Sequence, residues 1–276
     1  MVSFATVAEF LHASSLPRLE ARMLLQHVTG YTRAQLITHD KEPLNSNQIA
    51  QLHALYQRRL AGEPMAYVLG GREFYGRWFH TTPATLIPRP ETEHLVEAAL
   101  ARLPQHGKVW DLGTGSGAIA LSIACERPDS QVLASDISAE ALAVAQHNAQ
   151  CLVVDNVCFA LGSWFAVDKA VTPHSFDVLV SNPPYIEAND GHLQQGDLRF
   201  EPPHALTDFA DGLTAIRQLA AGAALFLKPC AWLMIEHGYQ QGAAVRAIFA
   251  QYGWQDIATL SDLAGLDRIT LGRLAQ

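Results

Sequence analysis

Over roughly the first sixty residues, apolar positions recur at the spacing of one helix face. Val7, Phe10 and Leu11 form one such set, Leu24, Leu25 and Val28 a second, and Ile49, Leu52, Leu55 and Leu60 a third. Gly30 is placed to stop the second helix, Asn45-Ser46-Asn47 to cap the next, and Leu36 with Ile37 suggests a short helix between them. Glu20, Arg22 and the histidines of this stretch read as solvated side chains. From Gly62 to Pro90 the pattern changes. Aromatic residues (Tyr67, Phe74, Tyr75, Trp78, Phe79) alternate with glycines and lead into Thr81-Thr82-Pro83, which predicts a hairpin. Pro88 and Pro90 bracket Arg89, and a helix over 91–103 follows, with acidic residues in its first turn.

Beyond this point strand-like and helix-like runs alternate. The strands fall at 108–112, 131–135, 157–161, 177–181 and 231–236, and the helices at 118–126, 139–150, 214–227 and 241–252. Two late runs, 255–260 and 268–274, read as a hairpin at one edge. The alternation predicts an α/β fold: a seven-stranded, Rossmann-like, mostly parallel sheet with helices on both faces, preceded by a small helical domain. The expected boundaries are 1–70 for the helical domain, 71–90 for a hairpin linker and 91–276 for the sheet domain.

Composition narrows the partners. Of the 276 residues, 49% are hydrophobic and 17% charged, enough apolar surface for a full core and too little charge for a disordered chain. The formal net charge of -8 and the absence of any basic cluster larger than a pair such as Arg58-Arg59 favour a protein or small-molecule substrate over free nucleic acid. Cys125, Cys151, Cys158 and Cys230 form no C-x-x-C pair, so neither a metal site nor a disulfide framework is expected. Met1-Val2-Ser3-Phe4 lacks the basic and apolar regions of a leader, and no apolar run reaches about 18 residues. A cytoplasmic protein is the expectation.

Two segments carry chemistry. In the first, Val109-Trp110-Asp111-Leu112 runs into Gly113-Thr114-Gly115-Ser116-Gly117 and then a helix. Such glycines let the backbone approach a ligand and aim N–H groups at it. The G-x-G-x-G spacing differs from the G-x-G-x-x-G of dinucleotide sites, and Asp111 suits a cationic amino-acid moiety better than a pyrophosphate. The next strand ends in Ser135-Asp136-Ile137, where the Asp136 carboxylate can accept both hydroxyls of a ribose or cap the following helix, a role Ser138 competes for. Together these features predict an S-adenosylmethionine site, with S-adenosylhomocysteine as product.

The second is Asn182-Pro183-Pro184-Tyr185 at the end of a strand. Two prolines cannot continue a ladder, so their carbonyls and the Asn182 side-chain oxygen stay free to accept hydrogen bonds. An NH₂ on a planar, conjugated group has two coplanar hydrogens that such acceptors can orient, and Tyr185 can stack on the plane. An amide nitrogen is a poor nucleophile, so holding it in line with a sulfonium methyl is where proximity counts. The sulfonium is already a good leaving group, so no catalytic histidine is nominated. The plain alternative is a proline turn with Asn182 as a cap.

Asn182-Pro183-Pro184-Tyr185 together with Asp111-Leu112-Gly113-Thr114-Gly115 resembles the amino-methyltransferase class within the class I S-adenosylmethionine-dependent superfamily. Leu86-Ile87-Pro88-Arg89-Pro90-Glu91-Thr92-Glu93, Gly62-Glu63-Pro64 with Tyr67 and Gly70, and Arg199-Phe200-Glu201-Pro202 with Ala205-Leu206 resemble the release-factor glutamine methyltransferases of the HemK/PrmC family. The resemblance spans nearly the whole chain. It implies methylation of the glutamine amide in the Gly-Gly-Gln loop of class I peptide chain release factors, with the helical domain holding the protein substrate. It also implies that Asp111, Gly113, Thr114, Gly115, Ser116, Gly117, Asp136, Ile137, Trp164 and Asn182 line the cofactor site. Asn182, Pro183, Pro184 and Tyr185 would clasp the glutamine, and Arg89 and Glu91 would order the rim. For Trp164 the alternative is core packing, and for Arg89 a surface ion pair. A monomer without direct contact to nucleic acid or membrane is expected. Competing readings are a ribosomal-protein glutamine methyltransferase, a DNA adenine methyltransferase, a cofactor-binding module without catalysis, and an NAD-dependent dehydrogenase, the last disfavoured by the glycine spacing.

Overall fold

A computed structural model describes residues 4–276. Met1, Val2 and Ser3, on which part of the leader reading rests, lie outside the described residues. The chain divides into two compact units, one ending at Gly71 and one spanning Arg72–Gln276.

The first unit is helical: α1 (Val7–Ala13), α2 (Arg18–Thr29), α3 (Gln35–Thr38), α4 (Ser46–Leu60) and α5 (Met65–Leu69). Its ends follow the predicted chemistry. Gly30 closes α2 in the left-handed conformation (φ 71°), and Asn45 exchanges hydrogen bonds with Gln48 in a capping box at the start of α4. Val7, Phe10, Leu24, Leu25, Leu52 and Tyr56 form the core. Two expectations change here. Glu20 is not simply solvated, because the Arg59 guanidinium donates to both its oxygens at 2.8 and 2.9 Å. Residues Met65–Leu69 form α5 and not part of a hairpin, its turn closed by Gly70 in the left-handed region.

The second unit opens within the predicted hairpin, β1 (Gly71–Phe74) and β2 (Arg77–His80). Tyr75 and Gly76 both have positive φ (50° and 71°), the geometry that matches strand twist in a two-residue turn. Phe74 and Phe79 are buried in the core of this same unit. Then come α6 (Glu93–Leu100), β3 (Lys108–Leu112), α7 (Ala118–Glu126), β4 (Gln131–Asp136), α8 (Ala139–Leu152), β5 (Val157–Ser163), β6 (Ala166–Val167), β7 (Phe176–Ser181), α9 (Pro203–Leu206), α10 (Thr214–Gly222), β8 (Leu227–Glu236), α11 (Gly242–Gln251), β9 (Gln255–Ser261) and β10 (Asp267–Arg273). Asn148 of α8 accepts from the His80 N–H and donates to its carbonyl, tying the hairpin to the helix at 2.8 and 3.0 Å.

The large sheet runs β6-β5-β4-β3-β7-β8-β10-β9. β3, β4, β5, β7 and β8 are parallel, and β10 and β9 add the antiparallel edge hairpin. The architecture is the expected one, with one strand more than the seven anticipated. The addition is two-residue β6, paired antiparallel to β5 and too short to leave a hydrophobic pattern. Alternate side chains enter opposite layers, as strand geometry requires. Val109, Val178, Val180 and Met234 face the layer of α6 and α7, whereas Trp110, Leu179, Leu233 and Ile235 face that of α10 and α11. The helix expected over 214–227 stops at Gly222, passes through a 3-10 turn at Ala223–Leu225 and yields to β8, which starts at Leu227 and carries an irregularity before Trp232. Likewise, the helix expected over 91–103 is a 3-10 turn at Pro90–Thr92 followed by α6.

The connection from β7 to α10 returns to its own start. Ile186 bridges Thr207, and Gly212 (φ 74°) lies against the Tyr185 carbonyl so closely that a Cβ there would sit 2.3 Å from the oxygen. Gly212→Ala should therefore displace the backbone after Pro184 and cost about 1–3 kcal/mol. A thermal unfolding comparison checks this, and an unchanged midpoint would show that the close approach does not constrain the loop.

Candidate active site

The parallel strands β3, β4 and β7 bring their carboxyl ends to one edge. Asp111 stands opposite Ala134 of β4 on one side and Val180 of β7 on the other. The chain leaves β3 to build β4 and β5 on one flank, then crosses to build β7 and β8 on the other. That reversal opens a crevice where ligands of such sheets bind. Here it is a cavity of about 410 Å³.

The glycine loop forms one wall. Gly113, Gly115 and Gly117 take φ of 79°, 56° and 82°, a left-handed series that side chains resist. The Gly113 and Thr114 N–H groups donate to the Ser135 carbonyl at 2.9 Å, and the Gly115 N–H donates to Asp136 Oδ2 at 2.8 Å. Asp136 Oδ1 accepts from the Ser138 N–H, while the Ser138 hydroxyl accepts from the Ala141 N–H and caps α8. The competition for the cap is resolved in favour of Ser138, leaving the Asp136 carboxylate on the cavity wall. Burial raises its pKa, partly opposed by the N–H groups of Ser138 and Gly115. Each Asp136 oxygen accepts one backbone N–H and retains capacity for another donor, so this carboxylate fits a vicinal diol.

Gly113, Thr114, Gly115, Ser116, Ile137, Trp164, Asn182, Pro183, Pro184 and Arg89 also line the cavity. A Cβ on Gly113 would lie 3.7 Å from the Trp164 ring, so the indole stands beside the loop while also packing on the core below. Four sequence candidates take other positions. Gly117 is the turn into α7, packed on Leu121 and Ala145. Asp111 is fully buried beneath the loop, its Oδ2 accepting from the Thr114 hydroxyl at 2.6 Å and the Ala120 N–H at 3.2 Å, its Oδ1 without a partner. Tyr185 turns its hydroxyl toward Glu236, 3.5 Å away, and its carbonyl accepts from Gln241 Nε2. Burial raises the Tyr185 pKa, reinforced by the Glu236 charge, so it is a neutral phenol. Glu91 is exposed and does not line the cavity.

Arg89 does more than pair at the surface. It forms an ion pair with Glu201, whose side chain is fully buried and whose Oε2 accepts from the Ile87 N–H at 2.9 Å. One carboxylate thus clamps the 86–92 segment to the segment ahead of α9. Glu201 and Thr92 stand in the family-like motifs without a role assigned from sequence, and His204 and Phe209 carry no sequence signal; Thr92, His204 and Phe209 also line the cavity. Thr92 accepts from Asn182 Nδ2 at 3.2 Å, and Phe209, two-thirds exposed with a positive φ, stands at the rim. Among the described residues no cluster of His, Cys, Asp or Glu is arranged to hold a metal ion, and no helix is long and apolar enough to cross a membrane.

This glycine-walled crevice in a doubly wound sheet with a terminal antiparallel hairpin defines a methyltransferase of the Rossmann-like class. Residues 104–259 match the methyltransferase domain family, and residues 4–70 match the PrmC N-terminal domain. A release factor glutamine methyltransferase of Neisseria gonorrhoeae is 58% identical over 268 residues, covering 97% of each chain. Its counterpart from Bordetella pertussis is 51% identical over 96% of this chain and 98% of that protein. A methyltransferase structure from Pyrococcus furiosus superposes with a TM-score of 0.56 at 16% identity, covering 84% of this chain and all of that one, a likeness of fold. The chain belongs to the release factor glutamine methyltransferase family.

Asp111 gives a sign-definite prediction. Burial, opposed by Thr114 and Ala120 and reinforced by the Asp136 charge, pushes its pKa up to about 7. The folded state holds this proton more tightly than the unfolded chain, so the stabilising contribution is complete below the ordinary aspartate range and is lost as pH rises through about 7. Asp111→Asn should therefore gain on the parent by up to about 1.4 kcal/mol per pH unit across that window. Denaturant midpoints at several pH values check it, and a pH-independent difference would contradict the buried, unpartnered oxygen.

Proposed function

We propose that this chain transfers a methyl group from S-adenosylmethionine to the side-chain amide nitrogen of the glutamine in the Gly-Gly-Gln loop of class I peptide chain release factors. The observation that carries the reading is the adjacency of the glycine loop and Asn182-Pro183-Pro184 across one cavity, in a chain of this family. The helical unit would hold the protein substrate, with the β1–β2 hairpin as linker, and the enzyme would act as a cytoplasmic monomer without direct contact to nucleic acid or membrane.

When bound, the cofactor supplies an electrophilic methyl on a cationic sulfur. Asp136 would accept the ribose hydroxyls, the loop from Gly113 to Ser116 would lie along the amino-acid moiety, and Trp164 with Ile137 would flank the adenine. Asp111 would act from beneath, by holding Thr114 and the start of α7. On the substrate side, Asn182 Oδ1 and the Pro183 carbonyl would accept the two amide hydrogens and keep the nitrogen in line with the methyl, while Pro184 backs the plane, Tyr185 braces that turn through Glu236 and Gln241, and Arg89 steadies the rim. Asn182 Oδ1 and the Pro183 carbonyl would hold both N–H bonds until the methylated nitrogen passes one proton to solvent water. Because both acceptors pull on N–H bonds, they favour the positive charge developing on nitrogen.

The test is transfer of labelled methyl to purified release factor, its loop Gln-to-Ala variant, ribosomal proteins and DNA in parallel. Label on the release factor that vanishes in the loop variant is the expected result. Label confined to a ribosomal protein or to DNA would reject the substrate. Asn182→Ala should keep most of its cofactor affinity and lose about 3 kcal/mol of transition-state stabilisation, roughly a hundredfold in turnover. Near-normal turnover in that variant would remove Asn182 from the mechanism.

A further inference from the structure

Behind Asn182 lies a buried acid that methyl transfer, as described above, leaves unused. Glu236 ends β8, and β8 pairs with β7 so that Ile235 stands opposite Ser181. This places Glu236 one residue on, level with Asn182. Its exposure is 1%, and Oε2 has no partner. Between the two sits Thr92, itself buried, which accepts from Asn182 Nδ2 and whose hydroxyl stabilises the Glu236 charge.

A hydroxyl has one proton to give. While Glu236 is ionised, that proton is drawn to the carboxylate, and Thr92 can only accept from its other neighbour. The Asn182 amide must then turn its NH₂ to Thr92, which sends Oδ1 to the other side, where an acceptor is needed. If Glu236 is neutral, Thr92 is free to donate, and the two orientations of the amide become close in energy.

We propose that Glu236, acting through the Thr92 hydroxyl, sets the orientation in which Asn182 presents Oδ1 to the substrate amide. Both are positioning residues, and the inference rests on the glutamine-methylating reading of the site. Its pH dependence follows from what faces the carboxyl. Burial is the largest influence and raises its pKa to about 7, with the Thr92 hydroxyl and Arg268 of β10 opposing and Glu91 of the turn before α6 reinforcing. The neutral Tyr185 hydroxyl approaches from the β7 side. His237, next along β8, is held neutral chiefly by burial and bonds to Thr270 through Nε2. A carboxyl with a raised pKa is ionised only as pH climbs through that value, so the ordered amide belongs to the alkaline side.

The experiment uses the full chain with ¹⁵N-labelled asparagine, the Asn182 side-chain NH₂ signal being assigned by its loss in Asn182→Ala. In the parent and in Thr92→Ser the signal should titrate with a midpoint near pH 7. In Glu236→Gln and in Thr92→Val it should not. In parallel, Thr92→Val should lower kcat about tenfold, leaving the KM for S-adenosylmethionine within about twofold, and Thr92→Ser should recover most of the loss. A signal flat between about pH 5.5 and 8.5 in the parent would overturn the inference, as would an unchanged titration in either Glu236→Gln or Thr92→Val. The spectroscopic readout needs no methyl acceptor. A parent enzyme that ignores release factor would sink the proposed substrate and leave this test standing.

Discussion

The site exists because the chain reverses its direction of sheet growth at β3. With β4 on one side of β3 and β7 on the other, the connections leaving their carboxyl ends diverge, and the space between them cannot be filled by either helix layer. Register converts this topology into chemistry. Pairing of Asp111 with Ala134 and Val180 sets the glycine loop, Asp136 and Asn182 side by side. The Ser181 hydroxyl locks that arrangement by donating to the Leu112 carbonyl at 2.6 Å.

Around this crevice the loops are held by buried carboxyl groups. Asp136 gathers the Gly115 and Ser138 N–H groups, Asp111 holds the Thr114 hydroxyl and the start of α7, and Glu201 fastens Ile87 and Arg89. Two of the buried acids, Asp111 and Glu236, each keep an oxygen without any partner, and both have pKa values raised to about 7. Such groups cost stability in the folded state and recur where a site must handle charge or orient a ligand. Asp111 on β3 and Glu236 on β8 flank β7 from its two sides, one beneath the glycine loop and one behind Asn182.

The fold was legible in the sequence because the parallel strands are short, apolar and separated by helices with clear periodicity. Gly113, Gly115 and Gly117 announced a turn that lets backbone approach a ligand, and Asn182-Pro183-Pro184 announced a strand end with free acceptors. What stayed hidden depends on contacts across long sequence separations. Glu201 lies 114 residues from Ile87, and Thr92 90 residues from Asn182, so no local pattern pairs them. Asp111 was read as a ligand from its place at a strand end, but side-chain alternation and the Thr114 hydroxyl turn it under the loop. Two-residue β6 and five-residue α5 are too short for periodicity to register, and the early start of β8 was masked by the apolar continuity from Leu219 to Leu227.

The most direct test of this account is a crystal structure of the chain with S-adenosylhomocysteine. The account predicts the ribose hydroxyls on Asp136, the adenine beside Trp164 and Ile137, and the sulfur facing Asn182. A nucleoside bound elsewhere, or a ribose that makes no contact with Asp136, would contradict it.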